Sequence, residues 1–402
     1  MIDIQQRTLA SRLLIAAVEQ LDLTPTQRQQ AVDRYQAVGR WLCVPGTLLA
    51  AYSPEIAPQG SFRIGTVIKP WNNTELFDLD FTVKLLTTHL QVSQKFIKDL
   101  LGDRLREHAD YKQMLDDEHH RCWRLIYAED TSFYMDLVPA TPEPPFRLQS
   151  LQVPERFCLD PMAITDTRHP QYADRNAPWP KCNMKGFAEW FIEHMQFQLD
   201  LAVQAYASEQ RMSIEKVQTY QVKTPLQRAV QLLKRHRDIM FKDDEDAPIS
   251  VIITTLAALS YDQYTQGDLY GALTGITDKM RSFVEHRWDG NKYVYWVQNP
   301  VDPSDNFADK WQLNGRKRQL FFKWLDQVET DFTRAFNQRG LHNIAAELKL
   351  SLGDNIVNHA VRSISLQTRS VRDAGNLLVN PANGVLGATT GRPMPKHTHY
   401  GS

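Results

Sequence analysis

The stretch Gln59-Gly60-Ser61-Phe62-Arg63-Ile64-Gly65-Thr66, followed by Phe77-Asp78-Leu79-Asp80-Phe81, decides the fold. Gly60 has no side chain, so its backbone can approach a ligand closely or take positive φ. Ser61 adds a hydroxyl, and a helix opening there aims free N–H groups at an anion. Asp78 and Asp80 stand two apart. On a strand that spacing sends both carboxylates to one face and leaves Phe77, Leu79 and Phe81 for the core. Two acidic oxygen donors beside a phosphate-holding turn suit Mg²⁺, with Mn²⁺ as an alternative, because such ions take a few carboxylates plus substrate phosphates. A third carboxylate is expected from a neighbouring strand, and Phe133-Tyr134-Met135-Asp136-Leu137-Val138 offers Asp136. An Asp buried unpaired in so apolar a strand is costly. A metal or a cleft should therefore receive it, and two metals could clamp the attacking and leaving oxygens of an in-line displacement.

The ordered set of Gly-Ser, Asp-x-Asp and a distant strand Asp is that of the polymerase-β-like nucleotidyltransferases. The fuller text, QGSFRIGT, FDLDFTV and YMDLVPA, resembles the bacterial cGAS/DncV-like nucleotidyltransferases (CD-NTases), which join NTPs into cyclic oligonucleotides in anti-phage signalling operons. The resemblance implies an α/β (α+β) fold: a nucleotidyltransferase lobe with a mixed sheet, packed on a helical C-terminal lobe and braced by a long N-terminal helix. The boundaries drawn are 1–223 for the catalytic lobe with its N-terminal helices, 224–372 for the helical lobe and 373–402 for a flexible tail. Asp78, Asp80 and Asp136 are then the catalytic metal ligands. Gln59, Gly60 and Ser61 contact the triphosphate, with Arg63 nearby. Lys234 corresponds to a family lysine that reaches the β- and γ-phosphates, and Ser250 joins it. A lysine suits that task as a point charge. Asn183 falls where the family has an asparagine near the nucleotide, although many members read S-N-P-K-G where this chain has Cys182-Asn183-Met184.

The implied activity is a cyclic oligonucleotide synthase using ATP and other NTPs, purines foremost, with a cyclic trinucleotide as one product. Its regulators would be HORMA-like and ATPase partners or conjugation enzymes. The alternative is a template-independent RNA nucleotidyltransferase, which shares the metal site. It would need a basic channel of RNA length, and a net charge of −1 argues against that. Stable nucleic-acid binding and membrane attachment are not expected. The four cysteines are dispersed without a C-x-x-C pair, the N-terminus lacks a signal-peptide pattern, and no apolar run approaches a membrane span. A cytoplasmic protein is the expectation.

Along the chain, residues 5–22 carry an apolar helical stripe. Thr24-Pro25-Thr26-Gln27 and Thr224-Pro225-Leu226-Gln227 read as capping boxes opening helices. Thr66-Val67-Ile68 and Leu76–Leu86 read as strands, 92–116 as a charged helix, and Cys122–Tyr127 with Thr131–Val138 as a hairpin turning at Ala128-Glu129-Asp130. The second helix carries Leu226, Val230, Leu233 and Met240 inward, with Lys234-Arg235-His236-Arg237 in its middle. The run 249–261 is apolar on every side, and its periodicity alone leaves helix and strand open; the resemblance implies a buried helix. Further helices are expected at 265–286, 312–338 and 341–350. His119-His120-x-Cys122 matches no zinc spacing, and Trp123, Trp190 and Trp324 read as core.

Overall fold

The computed structural model describes residues 4–72, 76–127 and 133–374, with 378–379, 386–387 and 392–393. By compactness the chain divides into two units, 1–20 with 330–402, and 21–329. These cuts fall at other places than residues 223 and 372.

In the larger unit, β1 (Glu55–Pro58), β2 (Phe77–Lys84), β3 (Trp123–Tyr127), β4 (Phe133–Pro142), β5 (Met162–Ile164) and β6 (Lys181–Cys182) form one mixed sheet. Its order is β1-β2-β4-β5-β6, with β3 also paired to β4. Only β2 and β4 run parallel; the other pairs are antiparallel. Alternation does what the sequence predicts. Phe77, Leu79, Phe81, Phe133, Met135 and Leu137 are buried, together with Trp123 and Leu125 from β3. The intervening residues of β2, Asp78 and Asp80, look the other way. The turn between β3 and β4 lies outside the described residues.

In chain order the helices are α1 (Ile4–Glu19), α2 (Pro25–Leu42), the short α3 (Gly60–Ile64), α4 (Gln94–Arg106), α5 (Ala109–Met114), α6 (Phe146–Ser150), α7 (Met184–Glu193), α8 (Gln196–Glu209), α9 (Pro225–Phe241), α10 (Ser250–Ser260), α11 (Leu269–Lys279), α12 (Gly315–Phe336), α13 (Leu341–Leu352) and α14 (Asp354–Asp373). Both capping boxes form. Thr24 Oγ1 accepts the N–H of Gln27 at 3.2 Å, and Thr224 Oγ1 that of its own Gln227 at 3.3 Å. Each such cap contributes about 1 kcal/mol. Within the run 249–261, residues 250–260 form the largely buried helix α10, packed against α9 and α11. In the smaller unit, α1 packs on α13 and α14 through Leu13, Leu14 and Ala17, against residues such as Leu348 and Val357.

Three expectations are corrected. Residues 66–68 form no strand, because their carbonyls are taken by side chains of α9 rather than by a neighbouring strand: Lys234 donates to Thr66 O and Gln231 to Val67 O. The 92–116 helix breaks at His108, whose ring Nδ1 accepts from the N–H of Asp110 and caps α5. The 265–286 helix ends at Lys279 and passes through a single 3₁₀ turn, Met280–Phe283, into a strand, Glu285–Trp288. That strand pairs with Tyr293–Trp296, so its polar and aromatic alternation serves a hairpin. Of the tail, Leu378–Val379 pairs with Leu386–Gly387 and Arg392–Pro393. Its terminal His397 to Ser402 lies outside the described residues. Among the described residues no helix is long and apolar enough to cross a membrane.

Candidate active site

The β2–β4 register sets Asp80 level with Asp136, and Asp78 lies two residues before Asp80 on the same face. Carboxylate oxygens of the three come within 4.8 Å of one another, and they form the sole such cluster of potential metal ligands among the described residues. Asp136 is buried, Asp80 half-buried and Asp78 exposed. The crowding shows in their acidity. Asp80 is pushed up to about 7, by burial first and then by the charges of Asp78 and Asp136. Asp78 is also raised, by displaced water and by Asp136. Since 64% of the Asp78 side chain meets solvent, the repulsion is the firmer of its two causes.

The Gly60-Ser61 turn is fastened directly to this cluster. Gln59 N–H donates to Asp80 O at 2.9 Å, so the turn starts from the backbone of the central Asp. Gly60 has φ +55°, and a Cβ there would lie 2.4 Å from Asp80 Oδ2. Glycine is thus required twice, by conformation and by the carboxylate that fills the side-chain space. No side chain caps the start of α3. Its other end is held from α9, where Gln227 Nε2 donates to Ile64 O at 2.9 Å, and from Lys223 just before that helix, which donates to Gly65 O. Gln227, Gln231 and Lys234 stand on one face of α9, and they take the carbonyls of Ile64, Val67 and Thr66 respectively.

Lys234 therefore sits over the turn. Its Nζ donates to Thr66 O at 3.1 Å, and burial first, then the neighbouring Arg237, lowers its pKa to about 8. The charge run Lys234-Arg235-His236 is buried rather than a solvated face. Arg237 donates to Pro248 O at 2.7 Å and reaches Ser250 Oγ at 3.4 Å, tying α9 to the start of α10. A cleft of about 650 Å³ is lined by Gly60, Ser61, Asp78, Asp80, Lys234 and Ser250, and Gln59, Arg63 and Asn183 also border it.

Residues 54–139 match the family described as "Cyclic GMP-AMP synthase DncV-like, nucleotidyltransferase domain". Over 98% of its length the chain is also 29% identical to the c-di-GMP synthase of Roseivirga ehrenbergii, again over 98% of that protein. Along its length the chain is similar to the bacterial CD-NTases.

It is also similar to the cyclic dinucleotide synthase CdnG of Bradyrhizobium diazoefficiens, at 22% identity over 94% of this chain and 91% of CdnG. The solved structure of CdnG in complex with GTP has a TM-score of 0.67 to it, at 20% identity, covering 89% of this chain and 99% of that one. A complex of Escherichia coli CdnC with HORMA-deltaN has a TM-score of 0.57 at 11% identity, covering 85% and 96%. Both likenesses support the polymerase-β-like fold of the CD-NTases.

Other expected residues take definite places. Asn183 caps α7, with Oδ1 accepting from Gly186 N at 3.1 Å and Nδ2 donating to Phe157 O at 2.8 Å, so much of its hydrogen-bonding capacity is structural. His119 bonds Asp116 and His120 bonds Thr167, whereas Cys122 lies beside Asp136, so the three do not assemble as a ligand set. Trp123, Trp190 and Trp324 are buried. One residue of the site is not among those the sequence singles out. Arg124 on β3 stands directly opposite Asp136 and grips it with two hydrogen bonds, Nε to Oδ1 and Nη2 to Oδ2, both 2.7 Å. The polar position in the alternating run Trp123–Tyr127 was legible, but which carboxylate it would meet depended on the β3–β4 register.

Proposed function

We propose that this protein is a CD-NTase and joins two NTPs, GTP foremost, into a cyclic dinucleotide that serves as a cytoplasmic second messenger in anti-phage defence. The observation that carries the reading is the meeting of Asp78 and Asp80 with Ser61 and Lys234 in one cleft, with Asp136 clustered against the two carboxylates. The names of the relatives at full length support a dinucleotide over the trinucleotide that resemblance alone suggested. The HORMA complex of a fold neighbour supports a HORMA-like regulator.

The donor set fits hard divalent cations: three carboxylates within 4.8 Å, with Asp80 pushed up to about 7 by burial and then by the other two, is an arrangement that an ion would relieve. Asp78, Asp80 and Asp136 would hold Mg²⁺ or Mn²⁺, which supplies acidification of the acceptor hydroxyl and neutralisation of the leaving pyrophosphate. The Ser61 hydroxyl and the Lys234 ammonium bind the donor triphosphate and fix the α-phosphate before the acidic face. The Gly60 backbone lets that phosphate approach closely. The acceptor lies in the rest of the cleft with its ribose hydroxyl toward Asp78 and Asp80. Attack forms one phosphodiester and releases pyrophosphate, and the linear product then reseats so that its free hydroxyl attacks the α-phosphate of its remaining 5′-triphosphate, closing the ring and releasing a second pyrophosphate. One cleft serves both steps.

The test is incubation of the purified protein with all four NTPs and Mg²⁺ or Mn²⁺, phosphatase treatment and mass spectrometry. A surviving cyclic dinucleotide is expected. Elongation of labelled RNA without a cyclic product would instead establish the template-independent polymerase.

A further inference from the structure

The Arg124 guanidinium reaches beyond Asp136. Its Nη2 also lies 3.5 Å from Asp78 Oδ1, and its carbon rests 4.6 Å from the centre of the Tyr134 ring. Only 22% of the side chain is exposed. Both oxygens of Asp136 are engaged, and a fork held by two short bonds and an aromatic face has little freedom to swing away. Arg124 is thus a fixed positive charge set against two of the three carboxylates, Asp136 and Asp78.

We infer that Arg124 is a resident counterion that occupies the electrostatic place of a divalent cation in the free enzyme, so that metal binds weakly until a nucleotide triphosphate arrives with it. The inference rests on the reading of Asp78, Asp80 and Asp136 as metal ligands. Without Arg124, carboxylates this close together and partly withdrawn from water would repel one another or take up protons. With Arg124 in place the cluster is held assembled at low cost, but any entering cation meets a like charge that cannot leave. Two divalent ions then overfill the site unless the phosphates bring negative charge of their own. Lys234, facing the same cluster from α9, adds to that excess. Arg124 is on this account a positioning residue, acting through Asp136 and Asp78.

The test is Mn²⁺ binding to the full-length protein, read as loss of the free-ion electron paramagnetic resonance signal, without nucleotide and with a non-hydrolysable GTP analogue. Without nucleotide, Arg124→Gln should bind Mn²⁺ at least about tenfold more tightly than wild type, since a unit charge a few ångströms away is removed. Arg124→Lys, which keeps the charge and loses the fork, should stay within about threefold of wild type. The analogue should tighten wild type far more than Arg124→Gln. Unchanged or weaker Mn²⁺ binding by Arg124→Gln would overturn the inference and make Arg124 an orienting strut for Asp136. Because Arg124→Gln strands a buried carboxylate, the same substitution is also made in an Asp136→Asn background, where none remains to be stranded. It should again tighten Mn²⁺ binding relative to Asp136→Asn alone, and no change there would equally overturn the inference. Failure of the underlying reading looks different: wild type would bind no Mn²⁺ with or without the analogue, and Asp80→Asn would alter nothing.

Discussion

The two walls of the cleft are built from opposite materials. The acidic wall is strand-borne: Asp78 and Asp80 from β2 and Asp136 from β4, like charges brought level by register. The cation facing it is helix-borne: Lys234 from α9, an ammonium withdrawn from water over the backbone of the Gly60-Ser61 turn. Each wall is strained in the free protein in its own way. Repulsion and burial drive Asp80 up to about 7, while burial drives Lys234 down to about 8. On the proposed function one ligand, a triphosphate with its metal, would relieve both strains, offering cations to the carboxylates and phosphate to the lysine. The lesson is that the pre-paid tension on the two sides is complementary, so the bound state gains from both at once.

The sharpest way to break the comparison is to remove the acidic wall. Asp78→Ala with Asp80→Ala should lower cyclic product formation by at least about a thousandfold, because the metal-supported step is lost. Folding should survive, since the lost carboxylates repel each other; circular dichroism and mass spectrometry check the two parts. Asp136→Asn should be similarly inactive. Next in size is the seam between the walls. Gly60→Ala puts a Cβ against Asp80 Oδ2 at a residue with φ +55°. The displaced turn should cost roughly a hundredfold in turnover, as ångström-scale misplacement does.

Removing the facing cation should cost less and act on a different constant. Lys234→Met should raise the KM for the donor NTP about tenfold to a hundredfold, the worth of one charge-assisted contact of about 1.5–3 kcal/mol. In the wild type the NTP affinity should decline above about pH 8 as Lys234 loses its proton. That decline should be missing in Lys234→Met.

The walls also differ in how pH touches stability. Asp80 has a native pKa of about 7, above an unfolded value of about 4, so the native state holds a proton the unfolded chain has lost between those limits. Stability of the metal-free protein from this group is full below about pH 4 and is lost as pH rises through 7. Melting temperatures across that window should fall in the wild type and flatten in Asp80→Asn. The smallest effect belongs to Ser250, whose hydroxyl is already met by Arg237 at 3.4 Å. Ser250→Ala should cost no more than about fivefold in KM, within the net worth of a neutral hydrogen bond.

Legibility of the site follows the range of the forces. Two-residue alternation in 77–81 and 133–138 put the aspartates on one side of their strands before any coordinates, because the pleat is a local property. The capping boxes at Thr24 and Thr224 were equally local and formed as written. Thr66-Val67-Ile68 misled for the converse reason: β-branched residues suit a strand, but no strand offered partners, and α9 supplied side-chain donors instead.

By itself the sequence determined the chemical parts: an acidic pair at strand spacing, a third Asp in an apolar run, a glycine-serine turn and a lysine within a helical charge cluster. Tertiary structure decided what those parts meet. The parallel β2–β4 register levelled Asp80 with Asp136, β3 set Arg124 against them, and α9 buried Lys234 above the turn. The physical reason is that local sequence fixes which way a side chain points, whereas the identity of its neighbour, and hence its charge state, is set by strands and helices far apart in the chain.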